Sequence, residues 1–298
     1  MKIIAEAPVR IDFAGAWTDV PIFYQTFGGA TLNAAIDKHV RGELLTGGHR
    51  ELKDGMTVHY EANLPWGAGL GSSAAMNVLW LGLIKGRPLS TVQERLSIAE
   101  DAFKIEKVLG IIGGKQDQCA SALGGINVFE FSEKGIQSTP VGLSTTRVRE
   151  LESRLLLCYT GAARLSSRIH ENVWGNFAKG HRDIIDALIR MRDSAFEGKE
   201  ALEKGEFETF GKILTMQFEC TKIMDSSTSN QTLEDLFAMV RENVFGGKPC
   251  GAGGGGCVVF CCKAENEKRR AAEKIKSAGF SILDFAFDFH GLRVSAES

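Results

Sequence analysis

Pro65-Trp66-Gly67-Ala68-Gly69-Leu70-Gly71-Ser72-Ser73-Ala74-Ala75 is the stretch on which the reading of this chain turns. Three glycines fall within five residues, two hydroxyls follow at once, and Ala74 to Ile84 then reads as a helix. Glycine adopts positive φ and lets backbone approach a ligand closely. Amides at the start of a helix make a concave anion site, which the helix dipole favours. Ser72 and Ser73 can cap that helix, donate to a phosphate oxygen or ligate a divalent cation. The stretch is suited to hold a polyphosphate, although a tight strand-to-helix turn with a serine cap would use the same residues. It is not a P-loop, which needs Gly-x4-Gly-Lys-Ser/Thr, because no lysine precedes the serines.

The 298 residues are enough for one large or two modest domains. At 44% apolar and 24% charged the composition is that of a soluble globular protein. A net charge of -2 gives no sign of a nucleic-acid or membrane partner. Glu6 comes too early for a signal-peptide apolar region. No apolar run approaches the roughly 20 residues of a membrane span. The seven cysteines are odd in number and include no Cys-x-x-Cys pair. Reduced, mostly buried thiols in a cytoplasmic protein fit them better than disulfides or zinc. None of the six histidines has ligand spacing with a cysteine or another histidine.

The opening string resembles the phosphate loop of the GHMP kinases, named for galacto-, homoserine, mevalonate and phosphomevalonate kinases. Their pattern Pro-x-x-x-Gly-Leu-Gly-Ser-Ser-Ala is met at Pro65, Gly69, Leu70, Gly71, Ser72, Ser73 and Ala74. Two further motifs follow the family order. Ala7-Pro8-Val9-Arg10, then Gly15-Ala16-Trp17-Thr18-Asp19, resembles the opening motif, with Val9 where glycine is usual. Gly251-Ala252-Gly253-Gly254-Gly255-Gly256-Cys257 resembles the third motif nearly letter for letter. The wording of Trp17 to Asp19, Gly28 to Asn33 and Gly113 to Gln118 is similar to the branch of L-fucose kinase and D-glycero-D-manno-heptose 7-phosphate kinase. Only 35 residues separate Asp37 from Ser72, a shorter segment than such sugar kinases usually carry.

The resemblance implies an α+β fold in two domains. Residues 1–150 would form a half like ribosomal protein S5 domain 2, and residues 151–298 a ferredoxin-like half, with the site between them. It implies transfer of the γ-phosphoryl group of ATP to a hydroxyl of a small sugar. Pro65 and Gly67 to Ser73, including Ala68 and Leu70, would hold the phosphates. Ser73 and Glu106 would share Mg2+, and Asp117, beside Arg10, would be the catalytic carboxylate. Thr18, Asp19, Gly28, Gly29, Gly253 and Gly254 would meet the acceptor. A non-sugar alcohol such as mevalonate or homoserine remains an alternative acceptor, and so does a sugar- and ATP-binding sensor without turnover. The expected state is a monomer or homodimer.

Pattern alone predicts a strand over 3–13, another after Gly29, a third over 40–46 and a fourth over 56–62. It predicts helices over 88–107, 180–198, 199–220, 232–244 and 265–278, and an alternating strand over 282–290. Ser166, Ser167 and Arg168 read as a helix start or a further phosphate contact.

Overall fold

The computed structural model describes residues 2–46, 56–62, 67–161 and 167–297. It begins with β1 (Lys2–Ala14), where buried and half-exposed residues alternate to Glu6 and every residue from Ala7 on is buried. After the short helix α1 (Pro21–Phe27), the 18-residue strand β2 (Gly29–Thr46) pairs antiparallel with β1 from Lys2↔Leu45 to Ala14↔Leu32. The break expected before Val40 is a bulge within this one strand. Pro8 pairs with His39 and Val9 with Ile36, so Asp37 and Lys38 have no partners on β1. Such bulges re-aim the side chains beside them, and Arg10 is two residues further along.

The far half of β2 pairs with β3 (Met56–Ala62), and its near half pairs with β4 (Ile126–Ser132), which continues into β5 (Gly135–Pro140). Between β3 and β4 lie α2 (Ser72–Lys85), α3 (Val92–Val108) and α4 (Gln116–Leu123). Helix α5 (Thr145–Arg154) leads to β6 (Leu155–Tyr159), and the division expected near Leu151 falls inside α5. The second half holds α6 (Ser167–Ala178), α7 (Arg182–Lys204), α8 (Phe207–Met224) and α9 (Gln231–Val240). It continues with β7 (Val244–Pro249), β8 (Cys257–Cys262), α10 (Glu265–Ser277) and β9 (Ser281–Ile282). Its sheet has the order β7-β8-β6-β9.

The last strand, β10 (Arg293–Glu297), returns to the first sheet and pairs with β1 from Lys2↔Glu297 to Glu6↔Arg293. The fold is thus mixed α and β, with one sheet in each half and the end of the chain tied to its beginning. One apolar cluster runs from β1 and β2 through α2 to α7, α8, β6 and β8. Phe13 of β1 meets Phe210 of α8 edge-on, with centroids 5.2 Å apart. No helix among the described residues is long and apolar enough to cross a membrane.

Several expected boundaries move, each for a local reason. Helix α3 starts at Val92 rather than Pro88, because Thr91 and Glu94 close a capping box there. Gly198 does not break α7. A Cβ on it would stand 2.9 Å from Leu32 Cδ2, so it serves close packing, and Gly205, at φ +76°, ends the helix. The helix expected over 232–244 stops at Val240, and Gly246 and Gly247 beyond it lie in β7, where a Cβ on Gly246 would stand 2.0 Å from the Gly211 carbonyl oxygen. The strand expected over 282–290 ends at Ile282. Asp288 instead turns the chain, its Oδ1 accepting from His290 N at 2.7 Å and Gly291 N at 2.8 Å, and its Oδ2 facing His39 Nε2 at 2.8 Å.

Candidate active site

Helix α2 opens without a side-chain cap. Gly71, at φ 75°, is its N-cap, and the first helical bond runs from Ala75 N to Gly71 O at 3.0 Å. The amides of Ser72, Ser73 and Ala74 therefore have no acceptor inside the helix. The loop before them is pinned from both halves. Arg10 N donates to Leu70 O at 3.0 Å, and Cys257 N donates to Ala68 O at 2.7 Å. A Cβ on Gly69 would sit 2.5 Å from the Cys250 carbonyl oxygen, so no larger residue fits that crossing. The loop, the turn after β1, the start of α4 and the run Cys250 to Gly255 enclose a cleft of about 290 Å3.

Arg10 and Asp117 meet in this cleft. Arg10 Nε and Nη2 donate to the two oxygens of Asp117, both at 2.7 Å, and Nη1 donates to Gly69 O at 2.7 Å. Burial works against the charge of Arg10, but Asp117 and Asp12 more than offset it and hold the guanidinium above its ordinary value. Behind it, Asp12 Oδ1 lies 3.6 Å from Arg10 Nη1 and accepts from Gly251 N at 2.9 Å. The buried Lys248 of β7 pairs with Asp12 and donates to its carbonyl oxygen at 2.9 Å. Two cations and two carboxylates thus form a balanced chain across both halves. Buried charges persist only with such partners.

Two more carboxyls line the cleft. Asp19 Oδ2 accepts from Gln116 N at 2.8 Å and so occupies one of the open amides at the start of α4. Burial pushes Asp19 up to about 7, and the negative charge of Asp117 adds to this. Glu106, near the end of α3, accepts from Gln118 Nε2 at 2.8 Å and Asn77 Nδ2 at 3.1 Å. It too is pushed up to about 7, by burial first and Asp117 second.

These groups fit a small divalent cation. Glu106 is a carboxyl held among amides, Gln118 Oε1 is a buried oxygen without a partner among the described residues, and Ser73 is exposed, all beside the cleft. Oxygen donors of this kind suit Mg2+, which takes few protein ligands and keeps waters or phosphate oxygens. Among the described residues, no three His, Cys, Asp or Glu side chains make a closed metal cluster. Mg2+ held there by Ser73 and Glu106 would neutralise charge on a nucleotide's phosphates.

The GHMP kinases N terminal domain matches residues 34–125, and GHMP kinases C terminal matches residues 199–281. Together the two span more than half of the chain. This chain belongs to the GHMP kinase family. It is 28% identical to the D-glycero-alpha-D-manno-heptose 7-phosphate kinase of Campylobacter jejuni, over 98% of this chain and 99% of that protein. It is 26% identical to the bifunctional fucokinase/GDP-fucose pyrophosphorylase of Arabidopsis thaliana, over 91% of this chain but 31% of that protein. The chain therefore spans about a third of that bifunctional relative. The crystal structure of a D-glycero-D-manno-heptose 1-phosphate kinase from Bacteroides thetaiotaomicron superposes with a TM-score of 0.77 at 21% identity, covering 99% of each chain. As a GHMP kinase, the chain is an ATP-dependent phosphotransferase.

For this GHMP kinase the cleft gathers Arg10, Asp19, Gly67, Gly69, Gly71, Ser72, Ser73, Glu106, Asp117 and Gly253. Ala68 and Leu70 lie beneath it and contribute the carbonyls already described. Pro65 and Ser166 lie outside the described residues. The side chain of Ser167 does too, and Arg168 is exposed. Thr18 does not face the cleft; its buried hydroxyl lies 2.8 Å from Gly15 O and 2.9 Å from Ala30 O and is enclosed by those carbonyls. Gly28 and Gly29 are likewise outside it, and a Cβ on Gly29 would strike the Thr18 carbonyl oxygen at 2.1 Å. Gly254 turns away, its N donating to Thr228 O at 2.6 Å.

Asp12, Lys248, Gln116, Gln118 and His170 also meet at or behind the cleft, and none is among the expected site residues. Lys248 had a signal, a lone cation in the apolar run before the glycine motif. His170 had none.

Proposed function

We propose that this GHMP kinase phosphorylates a monosaccharide or sugar phosphate of the heptose 7-phosphate or fucose type, at its anomeric hydroxyl. The observation that carries the reading is Asp19. It is a buried carboxyl in the same cleft as Asp117, fixed through one oxygen to α4 and suited to accept from adjacent hydroxyls. The heptose 7-phosphate kinase that matches the chain from end to end supports it.

In this reading the open amides of Ser72, Ser73 and Ala74 bind the phosphates of ATP, and Ser73 and Glu106 would hold Mg2+, which would supply charge neutralisation there. Asp117 orients the acceptor hydroxyl. As the hydroxyl oxygen bonds to the γ-phosphorus, the bond to the β-phosphate oxygen breaks, ADP leaves, and the hydroxyl proton passes to Asp117. Such transfer depends mainly on positioning and charge neutralisation. Arg10 fixes both oxygens of Asp117 and sets a buried positive charge beside the phosphate loop, where charge develops.

The test is ADP release with fucose, galactose, arabinose, mannose, heptose 7-phosphate, mevalonate and homoserine. The product is read by 31P–1H coupling to the anomeric proton. Stimulation by a sugar, with phosphorus coupled to that proton, is the expected result. Stimulation by mevalonate or homoserine alone would remove the sugar and leave the kinase.

A further inference from the structure

His170 stands on the first turn of α6 and lines the cleft with Asp19 and Asp117. Its ring stacks on Trp17, with centroids 4.3 Å apart and planes 30° from parallel. Its Nδ1 lies 3.3 Å from Trp174 Nε1. An indole N–H can only donate, so Nδ1 accepts. In a neutral imidazole the proton then sits on Nε2. Burial pulls His170 down to about 4, so the ring is neutral at ordinary pH. Among the described residues nothing pairs with Nε2.

A second observation comes from the backbone. Trp17 has φ 79° and is the one non-glycine residue with positive φ among those described. That conformation is strained for a bulky side chain and persists where the surroundings impose it. Here the turn is closed by Thr18 N on Gly15 O at 3.1 Å and Val20 N on Trp17 O at 3.3 Å. The strained turn therefore carries both the ring that supports His170 and the carboxyl of Asp19.

We propose that His170 is an acceptor-binding residue, whose Nε2–H donates a hydrogen bond to an oxygen of the sugar, with Trp17 and Trp174 holding the ring in that tautomer. The proposal rests on the sugar-kinase reading. Asp19 can only accept when ionised, and His170 supplies the complementary donor. A polyol, whose oxygens both donate and accept, satisfies the two together. A site built to bond hydroxyls rejects analogues that lack them.

Two variants and one spectrum test it. His170→Phe keeps a ring against Trp17 and removes both nitrogens, whereas His170→Gln keeps an N–H of similar reach. With the acceptor found by the ADP-release screen, H170F should raise the acceptor KM by about 10- to 100-fold. The Kd for ATP should be unchanged, and H170Q should recover most of the loss. In the wild-type protein, long-range 1H–15N spectra should show His170 as the Nε2–H tautomer, not titrating between about pH 5.5 and 8, with Nε2 shifting when acceptor is added.

An acceptor KM within twofold of wild type in H170F would overturn the proposal. Equal losses in H170F and H170Q, or an Nδ1–H tautomer, would do the same. The spectrum needs no variant, so a misfolded H170F does not shelter the idea. If the wild type uses only a non-sugar alcohol, the sugar reading falls by itself. The same KM comparison, made with that alcohol, then decides the role of His170.

Discussion

Asp117 is expected to separate chemistry from binding. Asp117→Asn should leave ATP affinity nearly intact and lower kcat by about 10²- to 10⁴-fold, the usual loss for a positioned base. Near-normal turnover would remove Asp117 from the mechanism and leave charge neutralisation as the main effect. The pH profile singles out Asp19. Ionised, Asp19 accepts charge-assisted hydrogen bonds from adjacent hydroxyls, and protonation removes that charge, so kcat/KM for the acceptor should fall as pH drops below about 7. At saturating Mg2+ this acid limb should vanish in Asp19→Asn, along with most of the acceptor affinity. A limb that survives in D19N would assign it to another group. Both carboxylates were legible because each sits in a motif with several matched letters. Lys248 and Asp12 were harder, since a buried ion pair joining positions far apart in the chain leaves no local pattern. His170 became visible only through its packing against Trp17 and Trp174.

Helices α2, α3 and α4 bring Ser73, Glu106 and Asp117 together from three separate starts. The sequence carries local start signals for these helices: the glycine-rich turn ahead of Ser72, where Gly71 and not a serine is the N-cap, the Thr91 and Glu94 capping box of α3, and the glycines before Gln116. It misplaced ends where glycine had two possible uses. Gly198, Gly246 and Gly247 look like helix breakers, yet each gives room for a neighbouring element, which is a fact of tertiary contact. The same three helices yield a metal prediction. Ser73→Ala and Glu106→Gln each remove one oxygen ligand from the expected Mg2+ site, so both should raise the Mg2+ concentration needed for half-maximal rate. Ser72→Ala should change it less. An unchanged Mg2+ dependence in both of the first two variants would dismiss this site.

The two halves are held as one body by a shared apolar cluster, by β10 on β1, and by the ion chain from Lys248 to Asp117. The two halves were readable from motif order, but the return of β10 was not, because five residues of mixed polarity carry little strand signal. This enclosure has a consequence for stability. Asp19 and Glu106 are held at about 7, whereas in an unfolded chain they would titrate near 4. Between those values the folded protein binds more protons than the unfolded one, so stability falls as pH rises. His170, lowered to about 4, acts in the opposite sense below about pH 6.5, but it is one group against two. The surface carboxylates that are lowered, such as Glu94, act below about pH 4.5 and leave this window untouched. The free protein should therefore melt several degrees lower at pH 7.5 than at pH 5. Replacing both carboxyls, in Asp19→Asn with Glu106→Gln, should abolish most of that difference. Mg2+ with ATP should restore stability at pH 7.5 more than at pH 5, because the cation favours the ionised form of Glu106. Calorimetric melts across pH 5 to 7.5, with and without Mg-ATP, measure both effects. A melting temperature that rises steadily with pH in the free wild-type protein would show that these two carboxyls are ionised at no cost in the fold, and would remove the strained-charge account of the cleft.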